Sequence, residues 1–229
     1  SWDEVNERFS GFVSLNEVYK LFNLEPITGP TVVLPNGDII KSEYPTLSNY
    51  IYKEYGVLFN ISLAFLENFF EIKDIKKVFL LRHFVNFLIF FISTIFFYYT
   101  LRNFYSKIIS IIGFLFLILS PRIFAESFYN NKDIVFLSLY LIAFYFTLKF
   151  LIKRQNKFLI LFSFFVALSI NIRVLGLLSV VLLFLFLFLD GLNSKELMKK
   201  NTLDITKCFF LTSLFTYLMW PFLWGDPLD

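Results

Sequence analysis

The chain is expected to fold as an all-α polytopic membrane protein. Three observations carry that expectation. Six long apolar segments follow a polar stretch of about 77 residues. The chain is 57% hydrophobic and 21% aromatic, with a mean hydropathy of +0.67, whereas soluble domains lie nearer about 45–50% apolar. The basic residues gather in the connections between apolar segments, the pattern of membrane topology and not of a nucleic-acid footprint.

The elements follow in order. Asp3–Asn23 carries Val5, Phe9, Phe12, Val13, Tyr19 and Phe22 at roughly helical spacing, with acids at the favourable N-terminal end. Val32-Val33-Leu34-Pro35-Asn36-Gly37-Asp38-Ile39-Ile40 places Asn-Gly between apolar runs, a hairpin signal. Leu58–Phe70 is apolar but short and holds Asn60, Glu67 and Asn68, which suits an amphipathic helix at the membrane interface. The sequon Asn60-Ile61-Ser62 is common by chance and carries no weight.

A spanning helix needs about 20 apolar residues. Val78–Leu101, Ser106–Phe124 and Ile134–Ile152 meet that length. Phe158–Leu189 is too long for one helix and is interrupted by Asn171-Ile172-Arg173, so two helices meeting near Arg173 are expected. Cys208–Trp224 is the sixth segment, closing on the aromatic pair Trp220 and Trp224. The expected division is an extracytoplasmic loop at 1–77, with amphipathic helices and a hairpin, and a transmembrane bundle of about six helices at 78–229. The opening Ser1 and the end at Asp229 lead us to expect a piece of a longer polytopic protein, with a span before Ser1.

One set of connections holds Arg102, Lys107, Lys153, Arg154, Lys157, Lys195, Lys199, Lys200 and Lys207; the other holds only Arg122, Lys132 and Arg173. Nine against three assigns the first set to the cytoplasm, so 1–77, 121–133, the break near 173 and the C-terminal Gly225–Asp229 share the extracytoplasmic side. The single cysteine, Cys208, can form no internal disulfide and reads as a reduced, lipid-facing thiol. No cofactor is called for, and no cysteine and histidine spacing points to a metal; a divalent ion is conceivable but not indicated.

Three places could carry chemistry. Asp3-Glu4 is an ordinary helix start, or a general base at the membrane surface, with Asp3 taking the proton from an acceptor hydroxyl. The stretch from Pro121 to Asp133 is a solvated connector, or a phosphate site in which Arg122 and Lys132 donate and Glu126 and Asp133 lie close by. Arg173 interrupts an apolar stretch, either as a snorkelling hairpin tip or as a functional intramembrane cation. Arg82 and His83 stand near the start of their helix, where snorkelling explains them.

These residues resemble a known family. Asp3-Glu4-Val5 resembles the Asp-Glu motif in the first luminal loop of protein O-mannosyltransferases and of bacterial relatives such as the aminoarabinose transferases. Lys53-Glu54-Tyr55-Gly56-Val57-Leu58-Phe59 resembles the entry to the family's second loop helix. Leu119-Ser120-Pro121-Arg122-Ile123-Phe124-Ala125-Glu126-Ser127 resembles its Ser-Pro-Arg stretch, and Arg173 followed by Gly176 its basic residue in an apolar hairpin. Family members often carry a histidine soon after the acidic pair, where this chain has Asn6-Glu7-Arg8, so no metal or acceptor role is carried to that position. The resemblance implies a GT-C-type transmembrane helix bundle with juxtamembrane helices in its first loop. It also implies sugar transfer from a polyprenyl-phosphate donor to a protein, lipid or glycan acceptor, in a bacterial inner (plasma) membrane. Arg122, Lys132 and Arg173 would hold the donor phosphate, and Asp3, with Glu4 secondary, would serve as base. A lipid-linked sugar flippase or a non-catalytic subunit of a membrane complex are the rivals. The chain shows none of the internal repeats usual in transporters.

Overall fold

The computed structural model describes residues 4–27, 29, 31–33, 39–41, 43–53 and 56–225, with backbone alone at 31–33 and 39–41. The chain divides into two compact units, Ser1–Ile75 with Trp220–Asp229, and Lys76–Met219.

In the first unit, α1 (Glu4–Leu21) packs against α2 (Leu58–Phe69). Glu4 and Glu7 in the first turn of α1 and Lys20 in its last complement the helix dipole. The crossing is close because α1 offers Gly11 at the contact: a Cβ there would sit 2.5 Å from the Asn60 carbonyl oxygen. Phe12, Leu15 and Ala64 form a small core, with Tyr19, Ile27, Tyr44 and Ile61 against it. Asn16 ties down the returning chain by donating to the Ile27 carbonyl at 3.1 Å and accepting its N–H at 2.8 Å. Strands β1 (Thr31–Val33) and β2 (Ile39–Lys41) pair antiparallel, Val32 opposite Ile40. A 3₁₀ turn at Leu47–Asn49 and a short helix at Phe222–Gly225 complete the unit.

Among its described residues the second unit is built of helices joined by short connections: α3 (Ile75–Leu101), α4 (Lys107–Leu119), α5 (Pro121–Tyr129), α6 (Asp133–Lys153), α7 (Asn156–Ile170), α8 (Leu177–Gly191) and α9 (Lys195–Met219). Helix α7 lies against both α6 and α9, and α8 lies against α9. Val135, Phe150, Phe162, Val166, Ala167, Leu183 and Leu187 are closed off at 0–1% exposure. Lipid is as apolar as leucine, so helices in a membrane are held by close packing and polar contacts and not by hydrophobic drive. The aromatic side chains supply the packing. Phe146 stacks on Phe165 at 5.6 Å, Phe164 meets Phe215 edge-on at 5.6 Å, and Phe87 stacks on Phe128 at 4.8 Å, joining α3 to α5. Buried Ser138 and Thr147 satisfy themselves on their own helix, donating to the carbonyls of Ile134 and Ala143.

Among the described residues, three helices are long and apolar enough to cross a membrane: Ile75–Leu101, Asp133–Lys153 and Val174–Gly191. A fourth crossing results if α4 and α5, bent by 59°, act as one. Several expected segments are corrected. Ser106–Phe124 is broken at Ser120, because Pro121 has no N–H to continue the ladder and its ring drives the preceding residue out of helical geometry, to ψ 113. Phe158–Leu189 divides as expected into two shorter helices about Arg173, of which α7, at 15 residues, is short for a span. Helix α9 starts well before Cys208, and its first half carries Lys195, Glu196, Lys199, Lys200, Asp204 and Lys207. It stops at Met219 ahead of Trp220-Pro221, so Trp220 and Trp224 do not end a continuous spanning helix. The Cys208 thiol does not face lipid: it is 0% exposed, with Ser163 Oγ at 3.8 Å and Thr212 Oγ1 at 4.0 Å.

Candidate functional site

Polar residues cap the second unit at both ends, to different effect. At one end Arg154 closes α6 in a left-handed conformation, φ 50. Its guanidinium pairs with Asp190 at the end of α8 and donates to Asn201 Oδ1 of α9 at 3.0 Å. Asn201, fully buried, donates in turn to the Leu187 carbonyl at 2.8 Å and to Asp190 Oδ2 at 3.2 Å. Every group in this knot is answered by another, which is the character of a clamp across three helices.

The other end gathers most of the residues singled out in the sequence. Pro121 at the first position of α5 starts that helix, and one position on Arg122 donates from Nε to Glu126 Oε1 at 3.0 Å. Asn130 follows α5 and bridges the next two carboxylates, donating from Nδ2 to Glu126 Oε2 at 3.1 Å and to Asp133 Oδ2 at 3.2 Å. Its Oδ1 accepts the Asp133 N–H at 2.9 Å, which satisfies one of the free donors at the start of α6. Asp133 then pairs through Oδ1 with Arg173 Nη2. One run of contacts thus links Arg122, Glu126, Asn130, Asp133 and Arg173. Lys132, exposed, stands beside Asp133.

Arg173 owes its place to the break between α7 and α8. Asn171 ends the helical ladder, its Nδ2 donating back to the Ala167 carbonyl at 3.0 Å. The chain then passes through Arg173 in extended geometry, φ −145, into a 3₁₀ turn at Val174–Gly176. Gly176 folds so tightly onto the end of α7 that a Cβ would lie 2.4 Å from Ser169 Oγ and 2.8 Å from the Ile170 nitrogen. Three buried polar atoms in this short stretch have no partner: Ser169 Oγ, Asn171 Oδ1 and Arg173 Nε. Leaving such atoms unmet costs about 1–3 kcal/mol each, so the break holds unused hydrogen-bonding capacity next to a cation.

The arrangement qualifies the expected trio of cations. Arg122 is neutralised by Glu126 and Arg173 by Asp133, so an incoming anion must displace or share a carboxylate. Arg122 is also the more exposed, its side chain 87% accessible against 40% for Arg173. Arg82 corrects the snorkelling expectation. It sits two turns into α3 at 5% exposure, on the same face as Asn86, which donates to the Ser127 carbonyl of α5 at 2.9 Å. His83 tilts against the Phe79 ring at 6.4 Å. Asn86 was missed in the sequence, although its position one turn after Arg82 marks a polar stripe on an otherwise apolar helix.

In the first unit, Asp3 lies outside the described residues and Glu4 opens α1. Sequence reasoning also passed over two buried carboxylates. Glu7 is 6% exposed and accepts from Asn60 Nδ2 at 3.3 Å, a bond that takes Asn60 into the α1–α2 contact. Glu67 is 3% exposed and accepts from Arg8 Nε at 2.7 Å. Neither stands out locally, because each pairs with a residue more than fifty positions away.

Comparison with known proteins adds one finding. No curated protein and no solved structure matches the chain. Residues 63–220, more than half of the chain, match the family described as dolichyl-phosphate-mannose-protein mannosyltransferase. The match takes in Arg82, His83, Arg122, Glu126, Lys132, Asp133 and Arg173, and begins after Asp3 and Glu4. With its apolar helices, this integral membrane chain belongs to the dolichyl-phosphate-mannose-protein mannosyltransferase family, membrane glycosyltransferases of the GT-C type.

Proposed function

We propose that this chain carries catalytic machinery for moving a sugar from a polyprenyl-phosphate donor to an acceptor hydroxyl on a protein, lipid or glycan. The reaction is assigned to the extracytoplasmic face, which the nine-to-three division of basic residues supports, and to a bacterial plasma membrane, which the likeness to bacterial relatives supports. The observation that carries the reading is Arg173. A guanidinium at a helix break, half-exposed and joined to Arg122 through alternating carboxylate and amide groups, supports a role in meeting a phosphate.

In the reaction proposed, the acceptor oxygen attacks the anomeric carbon and its proton passes to the Asp3 carboxylate, with Glu4 secondary. The bond between the anomeric carbon and the phosphate oxygen breaks, and polyprenyl phosphate leaves with the electron pair. That leaving group needs its charge met more than it needs an acid, and Arg173, Arg122 and Lys132 are assigned that task. Attack opposite the leaving group inverts the anomeric centre. Donor-phosphate contact by Arg173 is tested with the full-length protein and a labelled polyprenyl-phosphate sugar. Arg173→Ala should weaken donor binding by about 1.5–3 kcal/mol, the worth of a charge-assisted contact. Arg122→Ala should do so less. Unchanged KM and kcat in Arg173→Ala would reject the assignment.

A further inference from the structure

A cavity of about 560 Å³ opens in the first unit, within the range of about 300–1,000 Å³ usual for small-molecule sites. Arg8, Phe12, Tyr44, Glu67, Asn68 and Glu71 line it, with Lys73 at the same end of α2. Its floor is a built structure. The Glu67 side chain is 2% exposed and fixed by Arg8 at 2.7 Å, and the Arg8 guanidinium lies over the Phe12 ring at 5.1 Å. Phe12 in turn stacks on Tyr44 at 5.5 Å, giving the cavity an aromatic wall. Burial holds the Tyr44 phenol above its ordinary range; Arg8 opposes this and Glu67 reinforces it, so the hydroxyl stays protonated and can both donate and accept at neutral pH.

The mouth shows a feature the fold alone does not call for. Glu71 follows α2 at φ 49, the left-handed position where helices ordinarily end on glycine. A glutamate there carries a conformational cost, and a strained residue at the rim of a cavity points to a use for its side chain. The lining charges balance, Arg8 and Lys73 against Glu67 and Glu71, which disfavours both a phosphate and a simple cation. What remains is a close set of acceptors and donors beside aromatic carbon, the complement of a neutral ring bearing several hydroxyls.

The geometry points to a binding site for a neutral sugar ring in this cavity, with Glu71 and Asn68 gripping hydroxyls at the mouth and the Arg8–Glu67 pair at the floor. The sugar has two sources: the donor, or a residue already present on the acceptor. Only that second question rests on the transfer reaction proposed above.

Binding is read first, without turnover, by saturation-transfer NMR of methyl α-D-mannoside against the full chain in detergent. Saturable binding is expected, and Glu71→Gln and Asn68→Ala should each weaken it about tenfold or more. Glu71→Gly is the folding control, because it suits the left-handed backbone while removing the carboxylate, and it should lose the sugar while keeping or raising Tm. Arg173→Ala should leave mannoside binding intact, so a failure of the phosphate assignment is separable from a failure here. In transfer assays, a rise in donor KM in the Glu71 and Asn68 variants assigns the cavity to the donor's sugar. A rise in KM only for a mannosylated serine peptide assigns it to the acceptor. No saturable binding of the mannoside, binding untouched by both variants, or equal competition by the bare serine peptide would each overturn the proposal.

Discussion

Replacing Asp133 by Asn should tighten donor binding, the opposite of what is expected on removing a polar residue from a site. Asp133 holds Arg173 through Oδ1, and the two side chains are 56% and 40% exposed. A pair that accessible contributes only about 0.3–1 kcal/mol, because water screens it and two side chains must be held in place. An incoming phosphate has to overcome that amount to take Arg173. Asp133→Asn abolishes the competing charge and keeps the shape and the partner for Asn130, so donor KM should fall by roughly two- to fivefold. A cost of about 0.3–1 kcal/mol in stability accompanies it, since an acid leaves the first turn of α6. The assay is sugar release from a labelled polyprenyl-phosphate donor over a range of donor concentrations, with Arg173→Ala and the double variant alongside. In the Arg173→Ala background the Asp133→Asn gain should vanish, because the two residues act through one contact. A rise in donor KM for Asp133→Asn, or the same gain with and without Arg173, would refute the idea that Asp133 holds the cation in reserve.

The other expectations are shorter. Asp3→Asn should cut kcat by about 10²–10⁴-fold at unchanged donor KM, since it removes a base that touches only the acceptor; near-normal turnover would remove Asp3 from the mechanism. Cysteine at exposed Lys20 should react with an impermeant reagent in intact cells and cysteine at exposed Gln155 should not, with a low background because native Cys208 is fully buried; the reverse pattern would invert the topology. Gly176→Ala should destabilise by about 1–3 kcal/mol, because the added carbon would fall 2.4 Å from Ser169 Oγ, and an unchanged Tm would show that the turn has room to give.

The elements legible in the sequence were those written in local pattern. The spacing of Val5, Phe9, Phe12 and Tyr19 gave α1, the apolar runs gave α3, α6 and α8, and Asn171-Ile172-Arg173 marked the break between α7 and α8. What escaped was any choice between protein and lipid. An apolar side chain gains much the same from either, so periodicity does not say which surface a helix shows to its neighbours. Cys208 was read as facing lipid for that reason, and Arg82 as reaching for the surface. The polar contacts escaped because their partners are remote in sequence: Arg154 meets Asn201 and Arg8 meets Glu67 only once the chain has returned. Of the chain of contacts around Arg173, the charged members were named from their types alone. Asn130, which joins them, looked like any other connector residue.

The length of α7 has a consequence for the membrane itself. Its 15 residues rise about 22 Å, against roughly 30 Å of hydrocarbon in a bilayer. With Lys153, Arg154 and Lys157 drawn to headgroup depth at one end by their charge, the other end stops about 8 Å short of the opposite surface. The residues after Ile170 carry the chain the remaining distance, and Arg173 comes level with Asp133 at the start of the 21-residue α6, which is long enough to cross. In the reaction proposed above, a lipid-borne phosphate would reach Arg173 at headgroup depth, by lateral diffusion in two dimensions, without first leaving the membrane.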